Sequence, residues 1–197
     1  MKIAVLVSGR GSNLQAILDS QDLKNKVEVK AVVSDKKECA AFLIAEKYFI
    51  PYYSMTRLGY KELNELFIQQ EIGLIVLAGF LKLIPSDFIE SYLGRIINIH
   101  PALLPAFSGK SMYGMNVHNA VFESSAKVSG ASVHFVDSTY DTGRIIAQKC
   151  VDISDVNSAA EIAEKVLKIE HFILPLVIGK FADNKIKEIN NRIVLVD

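Results

Sequence analysis

The chain has 197 residues, half of them apolar, and its 22 basic and 22 acidic side chains balance to zero net charge. Balanced charge supplies no broad field toward nucleic acid or an anionic membrane, so any anion must be gripped locally. Two cysteines, Cys39 and Cys150, are too few for a disulfide framework and stand at no metal-ligand spacing, so both read as buried reduced thiols.

Met1 and Lys2 run straight into the apolar stretch Ile3–Val7, which turns polar at Ser8 and is too short for the apolar region of a secretion signal. No later segment reaches about 18 uninterrupted apolar residues, so the expectation is a cytoplasmic protein with no membrane span. Ile3–Val7, Val27–Val33, Leu74–Leu77 and Ile96–Ile99 read as strands. Between them, Leu14, Ile17 and Leu18, and then Tyr60, Leu63, Leu66 and Phe67, form apolar faces at helical spacing. This alternation predicts an α/β fold: a Rossmann-like, mostly parallel sheet flanked by helices. The pattern then changes, because Ala131–Val136 and Ile145–Val151 flank the turn-rich segment Asp137–Gly143 as two antiparallel strands would. A long helix follows from about Ser158, apolar at Ile162, Val166, Ile169 and Ile173, with Pro175 expected to kink it or open its last section. Ile186–Val196 reads as a short extended tail. With no repeat, low-complexity segment or linker, residues 1–197 read as a single domain.

Directly after the first strand comes Ser8-Gly9-Arg10-Gly11-Ser12-Asn13, with Ser12 and Gln15 in the pattern of a capping box. A strand, a glycine-rich turn and a helix N-terminus make an anion site, since free N–H groups and the helix dipole both favour negative charge. Gly11, Ser12 and Asn13 are thus candidates for holding a phosphate. The spacing lacks the third glycine of a dinucleotide fingerprint and the Lys-Ser/Thr ending of a P-loop, which favours a phosphomonoester over a nucleotide.

In the strand Ile96-Ile97-Asn98-Ile99-His100, residues two apart share a face, so Asn98 and His100 point together and away from Ile97 and Ile99. A carboxamide beside an imidazole suits acyl transfer: one steadies a developing oxyanion and the other manages a proton. Asp141, on the turn before Thr142-Gly143, supplies a carboxylate that would raise the His100 pKa and fix its tautomer.

The blocks Ser8–Asn13, Leu77-Ala-Gly-Phe80, Asn98-Ile-His-Pro-Ala-Leu-Leu-Pro105, Gly130–Val136 and Asp141-Thr-Gly143 together resemble the phosphoribosylglycinamide formyltransferase family, in the right order over essentially the whole chain. The resemblance implies transfer of a formyl group from 10-formyltetrahydrofolate, a co-substrate, to the amine of glycinamide ribonucleotide in de novo purine synthesis. It implies neither a metal nor a covalent enzyme intermediate. By position, it makes His100 the general acid, Asn98 the partner of the formyl oxygen and Asp141 the support of the charged imidazole and a help, through water, in removing the amine proton. Gly11, Ser12 and Asn13 match the substrate-phosphate loop, and Glu170 matches an acid on the substrate side. The folate site corresponds to Leu81, Lys82, Leu83 and Ile84, the loop Asp137, Ser138, Thr139, Tyr140 and Asp141, Asn98, and a basic residue at Arg57. The segment Gly109–Gly114 is longer than in the family and Ser108 stands where proline is common, which leaves open the register of His118 and with it the substrate-side role the resemblance implies. Lys82 replaces a frequent arginine, and His134 and His171 read as structural.

The partners implied are two small molecules, with no nucleic acid and no membrane, for a monomer or homodimer. Rival readings are a formate-releasing hydrolase of the same folate, a formyltransferase with another amine acceptor, a binding module without turnover, and a nicotinamide-linked oxidoreductase. The missing third glycine speaks against the last, and the Asn98, His100 and Asp141 set against a pure binding module.

Overall fold

The computed structural model describes residues 1–197. Its first half alternates strand and helix: β1 (Lys2–Val7), α1 (Ser12–Asp19), β2 (Glu28–Ser34), α2 (Ala41–Lys47), β3 (Tyr52–Ser54), α3 (Tyr60–Gln69), β4 (Leu74–Leu77), α4 (Ser86–Ser91) and β5 (Ile96–His100). These five strands are parallel, as short crossover helices require. Helix α5 (Met115–Glu123) then leads to β6 (Val128–Phe135) and β7 (Ile145–Asp152), which join antiparallel. The seven-stranded order is β3-β2-β1-β4-β5-β6-β7, the mostly parallel sheet with an antiparallel part that the sequence pattern predicts.

Strand alternation splits the core in two. Ile3, Val5 and Val7 of β1 face one way, packing with helices α1, α2, α5 and the 24-residue α6 (Ala159–Ala182), while Ala4 and Leu6 face α3 and α4. Both faces of the sheet are covered, which is why the buried runs Ile3–Val7 of β1 and Leu74–Leu77 of β4 are apolar throughout.

Several expectations are corrected. Ser12 does not cap α1: the capping position is Gly11, so Ser12 is already the first helical residue, and Gln15 turns its amide to Asp19 and Tyr48, each at 2.8 Å. Helix α6 continues through Pro175 without opening a new section; the proline removes one backbone bond while its ring is buried in the core. Its start is capped by Ser158, whose Oγ accepts the Glu161 N–H at 3.3 Å. The C-terminal segment is a hairpin, β8 (Ile186–Ile189) with β9 (Arg192–Leu195), turned at Asn190 and Asn191, both with positive φ. Cys39 is buried but Cys150 is exposed, because β7 is the sheet's edge strand and positions 148–150 lie uncovered. No helix is long and apolar enough to cross a membrane.

Candidate active site

The chain leaves β1 outward to β2 and β3, then returns to place β4 on the other side of β1. Such a switch point opens a crevice at the C-terminal ends of the strands. Here the two loops that diverge from it are tied together, since Ser8 N–H donates to Gly79 O at 3.0 Å and Leu81 N–H to Ser8 Oγ at 3.0 Å. A cavity of about 680 Å³ lies in this crevice and extends to α5 and α6.

Gly11 permits the tight entry into α1. Its φ is +81°, and a Cβ there would stand 2.7 Å from the Ala41 Cβ. Behind it, Asn13 and Arg10 line the cavity, whereas Gly11 and Ser12 are not among the lining residues. Arg10 was overlooked in the sequence although it sits inside the glycine block. The Asn13 Nδ2 donates to Glu170 Oε2 at 2.7 Å, joining α1 to α6. Burial pushes the Glu170 carboxyl up to about 7, against the opposing pull of that hydrogen bond.

Asn98 and His100 share a face of β5, with Ile97 and Ile99 buried on the other, as the strand period requires. His100 Nε2 lies 2.8 Å from Phe107 O. A carbonyl only accepts, so Nε2 carries the hydrogen and Nδ1 is the nitrogen left to exchange a proton. That Nδ1 is 3.6 Å from Asp141 Oδ1. Asp141 adopts φ +58°, a left-handed conformation that aspartate tolerates, and its Oδ2 accepts the Gly109 N–H at 3.0 Å. Burial raises the Asp141 carboxyl, but His134, His100 and the Gly109 amide together outweigh it and hold it below the usual range.

Asp141 pulls the His100 pKa upward as expected, but it does not decide the net shift. Burial is the largest influence on His100 and lowers its pKa, while the upward pulls of Asp141 and of the Phe107 hydrogen bond are smaller. The resting imidazole is therefore neutral near pH 7.

His134 is the residue the sequence misplaced. It lies opposite Asn98 in the β5–β6 pairing, and its Nε2 is 3.0 Å from Asn98 Nδ2 and 3.6 Å from Asp141 Oδ1. Its Nδ1 donates to Phe135 O at 2.8 Å, so a neutral ring accepts at Nε2 and fixes which end of the Asn98 amide faces it. Only the strand register reveals this, and register is a tertiary property.

Leu81, Lys82, Leu83 and Ile84 all line the cavity, as do Asp137, Thr139 and Tyr140. Leu81 and Leu83 are half-exposed at its mouth and Ile84 is buried. Ser138 and Arg57 are exposed and do not line it. In the longer segment, Gly109 to Gly114 forms a wall of the cavity, and His118, in the first turn of α5, is buried against it. His171 does not line the cavity, and no cluster of three or more His, Cys, Asp or Glu side chains is placed to hold a metal ion.

A switch-point crevice carrying an amide, an imidazole and a carboxylate is the build of a group-transfer enzyme, and the chain belongs to the Formyl transferase family, whose profile matches residues 1–178. Its relatives are named more narrowly. It is 40% identical over 195 residues to phosphoribosylglycinamide formyltransferase, chloroplastic, of Arabidopsis thaliana, spanning 94% of this chain and 67% of that one. It is 37% identical over 185 residues to phosphoribosylglycinamide formyltransferase of Bacillus subtilis, spanning 90% and 92%. The crystal structure of phosphoribosylglycinamide formyltransferase from Anaplasma phagocytophilum matches with a TM-score of 0.90 at 30% identity, over 100% of this chain and 95% of that one.

Proposed function

We propose that this chain, acting as one domain, transfers the formyl group of 10-formyltetrahydrofolate to the amine of glycinamide ribonucleotide. The observation that carries the reading is the convergence of Asn98, His100 and Asp141 in one cavity whose far end meets the N-terminus of α1. The cavity offers two unlike halves. Leu81–Ile84 and the 137–141 loop form a partly apolar wall with backbone edges, suited to a flat, hydrogen-bonding pterin. Arg10 and Asn13, on either side of the start of α1, form the other, suited to a phosphate.

In this reading Asn98 donates its free Nδ2 hydrogen to the formyl oxygen as the amine attacks the formyl carbon and the oxygen gains charge. Neutral His100 accepts the amine proton at Nδ1, and Asp141 steadies the resulting imidazolium. His100 then returns that proton to the departing folate nitrogen as the carbonyl re-forms and the carbon–nitrogen bond breaks. One N–H bond is lost on the acceptor and one is gained on the folate, so no metal, water or covalent enzyme adduct enters the balance. Glu170 and Asn13, joined across the substrate end, hold the ribose-phosphate side.

The test is tetrahydrofolate formation followed by absorbance, with and without glycinamide ribonucleotide. Acceptor-dependent turnover is expected. Equal turnover without acceptor would make the chain a formate-releasing hydrolase and refute the transfer.

A further inference from the structure

The segment Leu81–Ile84, part of the cavity wall, belongs to no helix or strand, so its shape depends on what grips it from outside. Two side chains do so. Its start is fixed by Ser8 Oγ, which accepts the Leu81 N–H at 3.0 Å. Its middle is held by Tyr60, the first residue of α3, whose hydroxyl donates to Leu83 O at 3.3 Å. The same ring packs edge-on against Phe88 of α4 with centroids 5.2 Å apart, so Tyr60 touches both the segment and the helix that follows it. Burial, then the nearby Asp35 and Tyr140, push its hydroxyl up to about 12, so it keeps its hydrogen and remains a donor at neutral pH. Tyr60 does not itself line the cavity.

The bond to Leu83 fixes the direction of the next N–H. The Leu83 carbonyl and the Ile84 N–H share one planar trans peptide and point opposite ways. With its oxygen turned to α3, this peptide turns the Ile84 N–H away from α3. Ile84 is 3% exposed and lines the cavity, yet its N–H has no hydrogen-bond partner in the protein. A buried backbone donor without a partner is rare, and its place on the cavity wall gives it a ligand to meet. We propose that Tyr60 is a positioning residue for the formyl-folate: by holding the Leu83 oxygen, it presents the Ile84 N–H to an acceptor atom on the pterin edge. This rests on the folate half of the transfer reading above.

The test compares the wild type with Tyr60→Phe, which keeps the ring on Phe88 and removes the hydroxyl. Tetrahydrofolate, the folate product of the transfer, is the binding probe, titrated by calorimetry, and steady-state kinetics give the two KM values. In Tyr60→Phe the Kd for tetrahydrofolate and the KM for the formyl-folate should each rise about 3- to 10-fold, the scale of one neutral hydrogen bond. The acceptor KM should stay within about twofold and the Tm within about 3 °C. An unchanged tetrahydrofolate Kd, or an equal rise in the KM of both substrates, overturns the proposal, as does a lowered Tm with folate binding intact. A wild type that binds tetrahydrofolate but passes nothing to glycinamide ribonucleotide refutes the transfer reading alone, and the Kd comparison still decides the role of Tyr60. A wild type that binds no tetrahydrofolate overturns both.

Discussion

The side-chain nitrogen of Asn98 stands 3.0 Å from Nε2 of His134, directly across the antiparallel pairing of β5 with β6. His134 Nδ1 donates to the Phe135 carbonyl, so the ring turns Nε2 toward the Asn98 amide and fixes where that side chain sits. Strand pairing thus sets the orientation of the amide that, in the proposed reaction, faces the formyl oxygen.

Removing that hold should cost turnover rather than binding. His134→Phe is expected to lower kcat about 10- to 100-fold with the acceptor KM within about twofold, as for a misplaced oxyanion donor. Steady-state kinetics on the folded variant check it, and an unaltered kcat removes His134 from the machinery.

Asp141→Asn removes the charge that pulls the His100 pKa upward, so that pKa should drop further below its ordinary value. Wild-type activity should rise with pH as His100 deprotonates, with a midpoint below 6.5, the ordinary histidine value. In Asp141→Asn the midpoint should move lower still, and kcat should fall about 100-fold. A pH–rate profile reads both, and a midpoint moving upward would contradict the assignment.

Glu170 makes a prediction about stability. Its folded pKa of about 7 lies above the ordinary 4.5, so below 4.5 both states are protonated and the native state carries no penalty. As pH rises toward 7 the unfolded chain ionises first and stability is lost. Glu170→Gln lacks this loss. The gap in stability, variant minus wild type, should grow between about pH 4.5 and 7 by up to about 3 kcal/mol and then level off. Thermal melts across that range test it, and a constant gap would show the carboxyl is not destabilised by burial.

Gly11→Ala should destabilise the fold by about 2–4 kcal/mol, since it adds a left-handed penalty to an overpacked contact. The contact is with the Ala41 Cβ at 2.7 Å. Denaturant unfolding measures this, and a loss under about 0.5 kcal/mol would mean the turn adapts.

Local pattern made much of this legible. The β1, β4 and β5 runs, the switch at residue 100 and the shared face of Asn98 and His100 all follow from periods of two and of 3.6. The short edge strand β3 and helices α2, α4 and α5 lack a strong period and were not foreseen. His134 was invisible because its role depends on which residue of β5 it faces, and the neutrality of His100 because burial is a property of the assembled core. Glycine at position 11 signalled the turn, but not that the cavity would be lined by Arg10 in place of Gly11 and Ser12.

The most direct measurement is turnover of His100→Ala, with folding and ligand binding monitored in parallel. With Nδ1 gone, the amine proton has no carrier, so turnover should fall by at least about a hundredfold while Tm and folate affinity hold. Near-normal turnover in a folded His100→Ala protein would contradict the account, because in this reading His100, paired with Asp141, is the group that carries the amine proton.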